Sequence, residues 1–165
     1  GPLGKATLMD ETLDFLRREL RLRLGLADDQ VVLDNAHTAS RASDTRGVVI
    51  SLVNVGVSTY QGSGLKQPGW QDLLELTILI SFRFADYKAS LTHLNRTMQL
   101  FNIKPAYTAA EAHPENGFPS GLERIMFTLR PLEFEALKDL WGTLGDAQVP
   151  SVVYNVRMVR AQAPL

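Results

Sequence analysis

Cysteine is missing from all 165 residues, which excludes disulfides, a thiolate nucleophile and cysteine-ligated zinc, and is compatible with a reducing compartment without requiring one. Charge of one sign is not in excess either: 17 Lys and Arg stand against 18 Asp and Glu, for a formal net charge of -1. No global basic field exists to hold a polyanion, so nucleic-acid binding would demand a strong local patch and is not expected. Long hydrophobic runs are lacking as well. The strongest, at positions 76–82, falls far short of the roughly 20 apolar residues that cross a bilayer, so direct membrane insertion is not expected. No signal peptide is visible. Residues 1–4, Gly-Pro-Leu-Gly, read as the scar of a cleaved expression tag, which leaves 5–165 as one expected domain.

What the chain does contain is globular: 45% hydrophobic and 21% charged residues, close to the average for folded proteins. Leu13, Leu16, Leu20 and Leu24, with Met9 and Phe15 beside them, give helical spacing over 8–24, with Thr7 and Asp10 able to cap the first turn and Gly25 the last. Arg17, Arg18, Arg21 and Arg23 on this helix read as a solvated face with pairs such as Asp14 to Arg18 and Glu19 to Arg23, in preference to an anion patch. A short strand is expected at 31–33. The β-branched run 47–57 is apolar on both faces and reads as a central strand. Positions 73–84 alternate Leu74, Leu76, Ile78, Ile80 and Phe82 against a more polar face, a long strand. Asp86 caps a second helix to about 102, whose apolar stripe is Tyr87, Leu91, Leu94, Met98 and Phe101. A proline-rich loop follows, with a short strand at 106–108. The strand 121–129 then presents Ile125, Phe127 and Leu129 on its apolar face. Pro131 opens a third helix that buries Leu132, Leu137, Leu140, Trp141 and Leu144 and ends at Gly145. Pro150 prevents continuation, and the strand 151–160 alternates Val152, Tyr154, Val156 and Met158 with Val153, Asn155, Arg157 and Val159. The plan is α+β, a mixed or largely antiparallel sheet of about five strands flanked by three helices.

Motifs of chemistry are not found. The glycines at 62 and 64 with Lys66 lack the spacing of a phosphate loop and no helix follows them. Ser120 lacks the glycine two residues before it that a nucleophile elbow needs. His37, His93 and His113 offer no pair at metal-ligand spacing; His93 reads as a boundary residue of its helix. No catalytic residue, cofactor or metal is therefore expected. A small hydrolase or transferase assembled in space around those histidines is the alternative of another class.

The passage 140–157 narrows the reading. Leu140, Trp141, Leu144 and Gly145, followed by Pro150, Ser151, Tyr154 and Arg157, resemble the pattern of the N-terminal domain family of tail-terminator, or cap, proteins of bacterial contractile injection systems of the antifeeding-prophage type. The first helix from Met9 to Leu20 and the block from Leu74 to Phe101 are similar to the corresponding family blocks, so the resemblance runs from about 8 to 160. Pro68 stands alone where relatives often carry a proline pair. The resemblance implies a tail-terminator-like fold and a structural role: a homohexameric ring that ends the inner tube, anchors the last sheath layer, is assembled in the bacterial cytoplasm and stays with a particle that is released or membrane-docked. A tail-completion or head-to-tail joining protein of a phage is the nearest alternative. The partners implied are the chain itself, the tube protein and the sheath protein. Sheath arms in such systems exchange strands, which makes a sheet edge a candidate acceptor. Val153, Asn155, Arg157 and Arg160 on the last strand are the candidate contacts, together with loops 35–46 and 58–70. Trp141, Leu144, Gly145 and Tyr154 read as builders of the fold.

Overall fold

Thr7 begins the first element by a reciprocal cap: its side chain accepts from the Asp10 amide, and the Asp10 carboxylate accepts from the Thr7 amide at 2.5 Å. That carboxyl is held below its usual range, first by the Thr7 hydroxyl. Helix α1 then spans Leu8–Leu24 and ends where Gly25 takes the left-handed conformation (φ 68°). In the computed structural model, residues 7–35, 47–57, 74–144 and 149–161 are described. Of the sequence-based expectations, the tag scar, His37, Gly62 to Lys66, Pro68, Gly145 and nearly all of loops 35–46 and 58–70 lie outside them.

A 3₁₀ turn, Asp28–Gln30, leads into β1 (Val31–Leu33). The remaining elements are β2 (Val48–Val57), β3 (Leu74–Phe82), α2 (Tyr87–Ile103), β4 (Ala106–Tyr107), β5 (Leu122–Leu129), α3 (Phe134–Leu144) and β6 (Ser151–Arg160). They build one six-stranded sheet in the order β1-β2-β3-β6-β5-β4. Among the described residues only the β1–β2 pair is parallel. The sheet is thus mixed and mostly antiparallel, with one strand more than expected because the two-residue β4 pairs with β5.

Alternation decides which face each helix covers. Leu76, Ile78 and Ile80 of β3 and Tyr154, Val156 and Met158 of β6 point to the face that α1 and α2 cover, where Phe15, Leu16, Leu20 and Phe101 complete the main core. Aromatic rings knit this core: Phe101 stacks on Phe127 at 4.6 Å and meets Tyr154 edge-on at 5.0 Å. Leu79 and Val153 point to the other face, where Trp141 of α3 covers them in a second, smaller core. Strand β3 is buried on both faces, and each fully buried leucine or isoleucine there contributes roughly 1.5–3 kcal/mol of burial.

Five expectations are corrected. Strand β2 is central only at its start. Beyond Ile50 the partner strand β1 has ended, and Leu52, Val55 and Val57 are exposed. Helix α3 begins at Phe134, not at Pro131, and its first expected apolar residue, Leu132, packs from the lead-in. Leu129 is exposed, since β5 needs only Leu122, Ile125 and Phe127 to meet the core. The α2 stripe points only partly inward: Phe101 is buried and Leu94 packs against the core, but Tyr87, Leu91 and Met98 face out. Small and polar residues, Ser90 and Thr97, take the buried positions and let the helix lie close to the sheet. Finally, β6 is not an edge: β3 flanks it on one side and β5 on the other. Residues 154–157 have a ladder partner on each side.

Candidate functional site

Catalysis or metal binding would need titratable groups brought close together. Among the described residues no cluster of three His, Asp or Glu is placed to hold a metal ion. His93 stacks on Phe84 at 4.6 Å, and burial, reinforced by the nearby Arg96, pushes its pKa down. His113 sits in the loop before β5, where its Nδ1 accepts from the Glu115 amide at 3.0 Å. The two imidazoles share no partner and form no acid-base pair.

Among the described residues the one buried carboxylate is Glu19, 1% exposed, and its neighbours occupy it fully. It accepts from the His113 amide at 3.0 and 3.1 Å, from Asn116 Nδ2 at 2.9 Å and from Arg23 Nε at 2.9 Å. The expected Glu19 to Arg23 pair therefore exists, but as part of a buried latch between α1 and the loop that precedes β5. The other arginines of α1 are likewise committed: Arg17 and Arg21 to Asp28, and Arg18 Nε to Asn116 Oδ1 at 2.8 Å. A helix face whose guanidiniums are spent on intramolecular partners is a poor phosphate clamp. Tyr107 and Tyr154 have hydroxyls pushed up by burial, the latter to about 12, so both stay protonated at neutral pH.

The residues of the 140–157 passage divide by role. Leu140 and Trp141 pack beneath α3, and Leu144 is its last residue. The Pro150 carbonyl accepts from the Phe82 amide at 2.9 Å, and Ser151 pairs with Ser81 across the β3–β6 ladder. Tyr154 lies in the main core. Of the candidate contacts, Val153 is buried against Trp141 and Leu79, and Asn155 accepts from Thr77 at 3.1 Å. Arg157 stands opposite Glu75 in β3 and Met126 in β5, and only Arg160 is exposed, at the end of the strand.

What the fold leaves uncovered is more informative. On the side of β2 away from β3, residues 52–57 have no strand partner among the described residues. That half-strand carries no charge, the feature with which natural sheets commonly protect an edge. The stripe Tyr87, Leu91 and Met98 projects from α2. On the opposite face, a groove of about 380 Å³ opens between α3 and the sheet, floored by Val53, Val153 and Thr77. None of these surfaces stands out in the sequence, because each is made of residues that read as core. The only signal available there is an excess of apolar positions on α2 over what one face can bury.

Comparison with known proteins points the same way. The Pvc16 N-terminal domain family matches residues 11–165. The fold is similar to the sheath/tube terminator of an extracellular contractile injection system, PVC, in its extended state (TM-score 0.60, 15% identity, 96% of this chain and 58% of that one). It is similar also to the tube-terminating cap of the anti-feeding prophage (TM-score 0.61, 10% identity, 96% of this chain and 57% of that one). The chain thus spans less than two thirds of either structure. No curated protein matches it.

Proposed function

The chain belongs to the Pvc16 N-terminal domain family, and from that premise we propose that it is a structural cap of a phage-tail-like contractile injection particle. In this reading it ends the inner tube and holds the last sheath layer as a homohexameric ring. The match over residues 11–165 carries the reading. The work is mechanical, not catalytic: a ring needs a heterologous contact whose rotation closes, since an unclosed rotation propagates a filament. Tube and sheath then meet different surfaces of that ring.

The sheath contact moves, in this proposal, from β6 to the outer half of β2. An incoming arm adds to a sheet only where backbone N–H and C=O groups face outward, and β6 has neighbours on both sides. Residues 52–57 supply such an edge, with Val55 and Val57 exposed beside it. The experiment is deletion of the gene followed by electron microscopy of the particles. Tubes or sheaths of uncontrolled length are expected, and uniform particles of normal length would end the cap reading. Val55→Lys supplies the second arm: sheath should detach from the capped end while tube length stays controlled.

A further inference from the structure

Among the described residues, two apolar surfaces on opposite faces of the sheet have no partner, and they complement each other. The first is the α2 stripe. Tyr87 (64% exposed), Leu91 (42%) and Met98 (37%) follow one another at spacings of four and seven. At 3.6 residues per turn, they fall within roughly 40° of one another on the helix surface. The second is the groove beneath α3, about 380 Å³, lined by Val53, Leu132, Ala136, Leu140 and Val153. Its size lies near the lower end of the roughly 300–1,000 Å³ typical of ligand pockets, room for one or two side chains and not for a helix.

Charge fits as well. Between Tyr87 and Ile103 there is no acidic residue, while Lys88 and Arg96 are present. Asp139 and Arg130 both line the groove, so its wall offers one carboxylate for Lys88 beside one guanidinium, with Glu133, Glu135 and Lys138 close by in the chain. Lys88 adjoins the most protruding residue of the stripe, and Asp139 lines the cavity that would receive it.

We propose that successive copies of this chain join head to tail, Tyr87 and Leu91 of one copy seating in the α3 groove of the next with Met98 on its rim and Lys88 facing Asp139. The proposal rests on the ring reading above and names its contact. Because α2 and α3 lie on opposite faces of the sheet, each copy carries both halves of the joint. That arrangement gives a heterologous interface, which forms a ring when its rotation closes, and not a two-fold dimer. Burying the stripe also excludes water from the ion pair, where charge coupling is strongest.

A cysteine-free chain makes the test clean. Particles carrying Leu91→Cys together with Ala136→Cys are oxidised and run on a denaturing gel. A ladder of self-linked products is expected from the double variant, and no more than a trace from either single variant. In parallel, Lys88→Glu and Asp139→Lys should each weaken self-association of the purified chain by about tenfold or more, and the pair combined should recover most of it. Particles of controlled length without self-linked products, or with Leu91→Cys joined to a tube or sheath subunit instead, would overturn this contact and leave the cap reading standing. Uniform particles in the deletion strain would remove the cap reading, a separate outcome.

Discussion

Replacing Glu19 by alanine tests the physical account of how α1 is fastened. The carboxylate is 1% exposed and takes bonds from the His113 amide, Asn116 Nδ2 and Arg23 Nε. Asn116 is itself buried and also donates to the Phe15 carbonyl at 3.2 Å. Glu19→Ala therefore strips one backbone donor and one side-chain donor of a charged acceptor, each worth about 1.5–3 kcal/mol. Arg23, with a side chain 30% exposed, can turn to water and adds little. Partial entry of water to the loop offsets some of the loss, so a net destabilisation of about 3 kcal/mol is expected. For a domain of this size that is a fall in Tm of roughly 6–12 °C. Urea unfolding should show the midpoint moving down at constant slope, with Glu19→Gln lying between wild type and alanine, since the amide keeps one acceptor oxygen but presents an N–H group to donors. A loss below about 1 kcal/mol for the alanine variant would refute the latch, because the orphaned donors alone should cost more.

Gly47 gives a second expected outcome. Its φ is 120°, and a Cβ there would strike the Gln30 carbonyl, so Gly47→Ala should cost roughly 1–3 kcal/mol in the same urea assay, whereas Gly142→Ala, with open space around it, should not. His93 gives a pH dependence. Its folded pKa lies below the ordinary value of 6.5, so the folded state favours the neutral ring; that contribution is complete above pH 6.5 and is lost as pH falls through the folded pKa. The urea midpoint should fall as pH is lowered below 6.5, and His93→Phe should flatten the part due to this ring, which a pH profile unchanged by the substitution would contradict.

Local chemistry was legible in the sequence. The cap by Thr7 and Asp10, the glycine stop at Gly25, the Asp86 cap and the alternation of β3 all involve residues within a few positions of one another, and the structure has each of them. Features made by distant residues were not. Glu19 reads as a surface partner of Arg23 because His113 and Asn116 lie 94 and 97 positions away. The last strand reads as an available edge because nothing in 151–160 states that β3 and β5 will flank it. In the 140–157 passage Trp141 and Tyr154 are buried and Leu140 packs beside Trp141, so these residues build the fold and mark no contact.

The same logic explains where a joining surface hides in such a chain. Catalytic groups leave a signature because chemistry needs particular atoms at particular spacings. A contact between copies needs only apolar area and a few charges, the ingredients of a core. Tyr87, Leu91 and Met98 repeat at helical spacing as core residues do, yet the sheet already receives Ser90, Thr97 and Phe101 from the same helix. One helix cannot bury two faces against one sheet. Among the described residues nothing covers the surplus face, and three adjacent exposed apolar side chains favour a contact with another molecule. The groove beneath α3 is the converse case: Leu132, Leu137, Leu140 and Trp141 cover Leu79 and Val153, while Val53 and Thr77 extend past the cover. An uncovered strip on one face and a surplus stripe on the other are what a head-to-tail ring requires of each subunit.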